Sequence, residues 1–195
     1  MGSSKPMVPV ALALAVTACA AIPGAAGAEE VVAEVRVAFT GSSTLHDFGG
    51  DAPAVTIPVV RAEDGTWAAV VVIPVATLDT DNARRDGKMR EMLRAGAHPA
   101  IRGTLRGIVP DEVRDGGRLP LMLEIGGVSR PATASIADWT AAPDGNAVSF
   151  TATFVVSLAR FDLEAPTALL VVRVADTVHV RAEVQVRREP PPSGS

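Results

Sequence analysis

The sequence predicts an all-β fold, an antiparallel barrel closed by one short capping α-helix. Three observations predict it. Apolar residues recur with period two in segment after segment from Val31 to Val186. Turn signals separate these segments at hairpin spacing: Glu63-Asp64-Gly65, Asp115-Gly116-Gly117 and Pro143-Asp144-Gly145-Asn146. One stretch alone, 77–104, carries a helical pattern among the strands. So many antiparallel strands must close or stack to hide their edges. A lone helix docked on such a wall reads as a cap, and a capped barrel is usually a container.

The first element, 1–28, is read as a leader rather than as part of the fold. Lys5 supplies a positive start, Val8 to Ile22 is an almost unbroken run of Ala, Val and Leu, and Ala26-Gly27-Ala28 is an A-x-A cleavage site. That pattern predicts a secretory signal peptide, too short and wrongly flanked to span a membrane. It places the mature chain in the periplasm or outside the cell. The only cysteine, Cys19, follows Val16-Thr17-Ala18 and offers an alternative, a bacterial lipoprotein box. Cleavage there would leave Cys19 as the lipidated N-terminus of an outer-membrane lipoprotein. Pro23 and the A-x-A site favour cleavage after Ala28.

The domain itself, 29–188, then has no disulfide, no thiol nucleophile and no cysteine-based metal site. Its stability must come from burial, for which it is long enough. The full chain carries a formal charge of −4, and losing Lys5 makes the mature chain more negative still. Such a domain has no electrostatic footprint for nucleic acid.

The strands are expected at 31–40, 43–48, 54–61, 66–75, 100–109, 118–126, 129–137, 147–157 and 177–188, eight or nine in all. In the first, Val31, Ala33, Val35, Val37 and Phe39 alternate with Glu34, Arg36 and Thr40. In the last, Val178, Val180, Ala182, Val184 and Val186 alternate with His179, Arg181, Glu183, Gln185 and Arg187. Each has one dry and one wet face. Phe150, Ala152, Phe154 and Val156 repeat the pattern, and Ile101, Leu105 and Val109 face away from Arg102, Thr104 and Arg106. The helix is expected over 82–95, with Asn82 as N-cap and Gly96 as the stop. Met89, Met92 and Leu93 form its apolar stripe, and Asp86 can pair with Arg90 at i, i+4. Gly87 costs it about 1 kcal/mol against Ala, so it needs tertiary support. The tail 189–195, EPPPSGS, is expected to be disordered.

Four sequence pieces together resemble the YceI-like family of exported lipid- or polyisoprenoid-binding proteins. Gly41-Ser42-Ser43-Thr44-Leu45-His46-Asp47-Phe48, between Phe39 and Gly49, resembles the family's early small-residue strand and the "F-x-G" turn after it. Leu78, Thr80, Arg85-Asp86, Met89, Leu93, Pro99 and Ile101 fall where the family has "L-x-T, R-D, helix, yP-x-I". Leu123 to Pro131, with Gly126-Gly127-Val128-Ser129-Arg130, resembles "L-t-i-h-G-v-t-r". Val174-Ala175-Asp176-Thr177-Val178 resembles the family's "V-x-D-x-V" ahead of the last strand. The pieces follow in order through 31–188. Departures are Gly126 at an often polar position, His98 at the aromatic before Pro99, and the absence of any Tyr.

The resemblance implies an eight-stranded, lipocalin-like antiparallel barrel whose interior holds a long isoprenoid or similar lipid, with no cofactor and no catalysis. The lipid-facing candidates are Val35, Val37, Phe39, Leu105, Leu123, Phe150, Phe154 and Val180. The lid and rim candidates are Arg85, Met89, Met92 and Leu93. The family includes dimers, so a homodimer is open. The residues support a container independently. Eight strands enclose room for one slim ligand, and strands of eight to ten residues reach about 30 Å before tilt. Five Phe, two Trp and no Tyr are few large side chains with which to fill an interior. The alternative is a lipid-anchored envelope module with a solid barrel packed by Val, Leu and Ile.

Other constellations are weaker. His46 could act as a base oriented by Asp47, but strand neighbours point to opposite faces. Ser43 with them lacks a nucleophile elbow. His46, His98 and His179 have no metal-ligand spacing. Arg85 and Asp86 could meet a ligand head group; the plainer reading is an ion pair anchoring the helix to the barrel rim. Arg84, Lys88, Arg90 and Arg94 form a basic helix face; a solvated face is the plainer reading, contact with an anionic head group or membrane surface the sharper one. Trp67 and Trp139 read as packing.

Overall fold

The computed structural model describes residues 30–44, 47–164 and 174–189. The leader with Cys19, His46 and the tail from 190 lie outside the described residues. Eight strands close an up-and-down barrel in which each pairs antiparallel with the next and the last returns to the first. They are β1 (Glu30–Ser43), β2 (Asp47–Arg61), β3 (Trp67–Pro74), β4 (Ala100–Ile108), β5 (Arg118–Ile125), β6 (Val128–Ala141), β7 (Ala147–Ser157) and β8 (Val174–Glu189). The β1–β8 ladder runs from Glu30 opposite Glu189 to Ser43 opposite Val174 and removes the sheet edges. Helix α1 (Ala83–Met92) lies between β3 and β4, at the same end as the β1–β2 turn.

The strand predicted at 43–48 straddles two strands: Ser43 ends β1, and Asp47 and Phe48 open β2, which runs on without a break through the strand predicted at 54–61. Gly49 and Gly50 do not turn the chain; they pair with Thr40 and Phe39 inside the β1–β2 ladder. Their neighbours explain the composition. A Cβ on Gly41 would lie 2.7 Å from the Phe48 ring, and one on Gly50 would lie 2.5 Å from both the Asp79 carbonyl and the Phe39 ring. These glycines serve close approach rather than a turn.

Two bulges change the phase of the alternation. Gly107 takes φ +64, and the β3–β4 register slips between Trp67 opposite Ile108 and Ala69 opposite Leu105. Ile108 therefore takes the inward position, and Val109, expected inside, is 41% exposed. Asp138 at φ +56 does the same in β6, which runs on to Ala141 instead of ending at 137. The β2–β3 ladder holds only Val59 to Arg61 against Trp67 to Ala69. Beyond it the strands part, and Asp51 and Asp79 close the gap with a bridge of two backbone hydrogen bonds, 2.9 and 3.0 Å. Pro53 and Pro58 fall in the parted stretch, where proline's missing N–H is tolerated.

The helix is shorter than predicted. Asn82 caps it as expected, its side chain accepting from the Arg85 N–H at 3.0 Å. It ends at a left-handed Arg94, φ +56, rather than at Gly96. Arg94 N–H bonds the Glu91 carbonyl and Ala95 N–H the Arg90 carbonyl, both at 3.0 Å, which is a Schellman closure. A residue other than glycine is held there because its side chain is tied down: the Arg94 guanidinium donates to the carbonyls of Asp162 at 2.6 Å and Gly126 at 3.4 Å.

Candidate functional site

The barrel encloses a cavity of about 1140 Å³, at or above the upper end of the range of about 300–1,000 Å³ usual for ligand pockets. The cavity exists because the inward faces are built of small aliphatic side chains. Across one row, Ile136 of β6 stands opposite Ala152 of β7, Ala152 opposite Ala182 of β8, and Ala182 opposite Val37 of β1. Two alanines in a row of four leave the axis open.

The residues selected from the sequence as the interior all stand on this wall. Val35, Val37 and Phe39 come from β1, Leu105 from β4 and Leu123 from β5. Phe150 and Phe154 come from β7, and Val180 from β8. Val35, Leu123 and Phe150 are buried and the others half-buried, as expected of side chains facing an unfilled space. The alternation that selected them is enough, because a strand in a closed barrel can turn a residue only inward or outward.

At one end the helix closes the barrel. Met89, Met92 and Leu93 line the cavity there and pack on a buried cluster that includes Val75, Leu78, Leu158 and Phe161. Arg85 and Asp86 do not pair with each other; both grip Thr80. Asp86 Oδ1 accepts from the Thr80 N–H at 3.1 Å and from its hydroxyl at 2.6 Å. Arg85 donates from Nε to Thr80 Oγ1 at 2.8 Å and from its terminal nitrogen to the Thr80 carbonyl at 2.6 Å. The Arg85 guanidinium also lies 5.6 Å from the Phe48 ring centroid. Asp86 is thus spent on Thr80, and the expected Asp86–Arg90 pair does not form; the Arg90 Nε is buried without a partner.

Sequence reasoning missed the other end. The β4–β5 connection makes a 3-10 turn, Pro110–Glu112, and sends Val113 and Arg114 to the cavity mouth. Arg114 stacks on Trp139, 4.9 Å from its ring, and the Trp139 N–H is held by Asp115 Oδ1 at 2.8 Å. Trp67 and Trp139, read as packing, both line the cavity at this end. The bulge at Asp138, which a left-handed Asp could have signalled, turns Trp139 inward.

Asp47 is exposed at the start of β2. His98 packs over Gly127 at the helix end, whereas His179 lies exposed on β8 beside Thr40 and Val155. Among the described residues no three of His, Cys, Asp and Glu are placed to hold a metal ion. Asp176 has its carboxyl held below the usual range, first by the Ser157 hydroxyl at 2.5 Å and then by the Ala159 N–H at 2.7 Å. It braces the turn 159–161 and stands outside the cavity.

Comparison with known proteins gives one family. The model of the YceI-like domain matches residues 15–186. No curated protein is significantly similar in sequence. Among solved structures, BcnA of Burkholderia cenocepacia is similar at TM-score 0.58 and 14% identity, over 77% of this chain and 95% of that one. A polyisoprenoid binding domain from Saccharophagus degradans, implicated in plant cell wall breakdown, is similar at TM-score 0.58 and 13% identity, over 81% and 98%. The YCEI protein of Campylobacter jejuni is similar at TM-score 0.53 and 18% identity, over 72% and 84%. At such identities the likeness is one of fold.

Proposed function

This chain belongs to the YceI-like family, and on that premise we propose that it is a binding protein that takes a long isoprenoid or similar lipid chain into its barrel, without a chemical step. The observation that carries the reading is the apolar cavity of about 1140 Å³ running between the helix and the tryptophan end. A solid envelope module would not keep such a space, because unfilled volume costs packing contacts. The polyisoprenoid binding domain of the S. degradans protein supports the ligand class.

Binding then follows from burial. Each methylene transferred from water contributes about 0.8 kcal/mol, so a long tail is held tightly by aliphatic walls alone. Specificity for the tail is loose and set by cavity length. The leader read in 1–28 supports export and a periplasmic or extracellular site of action, with lipidation at Cys19 the alternative.

The test is native mass spectrometry of the protein purified from a bacterial envelope, together with titration of the purified protein with a prenyl quinone. A co-purifying lipid or saturable uptake is expected. Neither, in repeated preparations, would sink the container reading.

A further inference from the structure

The cavity is not symmetric in charge, and the asymmetry assigns an orientation to whatever it holds. Three cations of the helix segment, Arg84, Arg85 and Lys88, stand on the wall at the helix end beside Asn82 and Ser43. No carboxylate lines the wall there among the described residues; Asp86 is turned to Thr80, and Glu91 meets Lys88 at 3.0 Å away from the cavity. At the opposite end the one wall carboxylate among the described residues, Asp111, pairs with Arg114 at 3.4 Å, and Arg187 lies 3.9 Å from Glu34. Arg114 is further covered by the Trp139 ring. Arg188 lines the same end and also has a partner, so each far-end cation is answered by the protein itself.

At the helix end the position is different. Arg84 makes no ion pair or hydrogen bond among the described residues and shares one helix side with Lys88 at i, i+4, a spacing at which like charges work against the helix. Arg85 is fixed by two hydrogen bonds to Thr80 and by the Phe48 ring, so it cannot swing away. Lys88 is engaged only in an exposed pair with Glu91, a kind of pair worth little. A held guanidinium, an unpaired arginine and a lysine that can exchange its partner, at one end of an apolar cavity, match an anionic group joined to a long tail. Guanidinium and ammonium donors recognise carboxylate or phosphate oxygens through charge-assisted hydrogen bonds.

We propose that the ligand is an anionic amphiphile whose head sits among Arg84, Arg85 and Lys88 and whose tail runs down the barrel toward Trp67 and Trp139. This rests on the container reading and adds a head-group class and a direction. The two tryptophans are the chain's only ones, and both line the far end, so their fluorescence reports that end alone.

The experiment compares one long-chain fatty acid brominated at its methyl end with the same acid brominated beside its carboxylate. The methyl-end bromine is expected to quench tryptophan fluorescence more strongly at saturation. Equal quenching, or the reverse order, overturns the orientation while leaving the container reading standing. Absence of binding by either acid and by a prenyl quinone overturns both. A second arm uses Arg84→Gln with Lys88→Gln, both exposed and outside the Thr80 clamp. The preference for the acid over the alcohol of the same chain should fall by about tenfold. An unchanged preference, in a variant with wild-type circular dichroism and melting, overturns the head-group site.

Discussion

Thr80 is almost fully buried between the barrel rim and the helix, and it serves two charged neighbours at once. Its hydroxyl donates to Asp86 and accepts from Arg85. Thr80→Val keeps the shape and removes both contacts, leaving a buried carboxylate and a guanidinium short of partners. The expected cost is about 1–3 kcal/mol, seen as a lower urea midpoint at unchanged slope. Asp176 gives a pH prediction. Its carboxyl is held low by the Ser157 hydroxyl and the Ala159 N–H. A folded value below the unfolded one means that its contribution is complete above the usual carboxylate value of about 4 and is lost as pH falls through the lower folded value. Amide protection across Leu158–Leu163 should therefore weaken in acid below about pH 4. In Asp176→Asn it should be weakened already at neutral pH and show less further loss in acid. Both residues sit in the sequence pieces that resemble the family. Their spacing was legible, but their partners were not: Thr80 meets Asp86 and Arg85 only once the turn before the helix is folded, and Ser157 reaches Asp176 from the neighbouring strand.

Among the elements, β2 and α1 each contain a glycine whose role the sequence leaves ambiguous. Gly50 lies inside a strand where a side chain would strike the Asp79 carbonyl and the Phe39 ring. Gly87 lies inside the helix, and a methyl group added there would meet nothing within 4 Å. Gly50→Ala should destabilise by about 1–3 kcal/mol through overpacking. Gly87→Ala should stabilise by up to about 1 kcal/mol through helix propensity. Thermal melts of the two variants beside the wild type check both signs. Helix length shows the same division. Asn82 caps where its type predicts, because capping is a local bond. The stop moves from Gly96 to Arg94 because the Asp162 and Gly126 carbonyls, remote in sequence, hold the arginine in a conformation it seldom takes.

For the whole molecule, the decisive quantity is the volume left along the barrel axis. Ala152 and Ala182 face each other across the β7–β8 ladder and both line the cavity. Ala152→Trp puts a large apolar side chain into that space without altering a strand. Uptake of a prenyl quinone should be lost, while stability stays within about 1–3 kcal/mol of the wild type. Retained uptake at wild-type affinity would show that the ligand does not lie along the axis at this level.

Local sequence dictates the strand-rich architecture, the inward face of most strands, the single helix and its apolar stripe. Each follows from a short-range rule: alternation by two, recurrence by three and four, or a capping side chain one turn away. Closure of the barrel decides where that alternation slips at Gly107 and Asp138, that Gly49 and Gly50 continue a strand, and that Arg85 and Asp86 meet at Thr80 rather than each other. It also decides that two tryptophans and three helix cations stand at opposite ends of one cavity. Those outcomes depend on which residues from distant strands arrive opposite one another, and on the space left between them once the barrel closes.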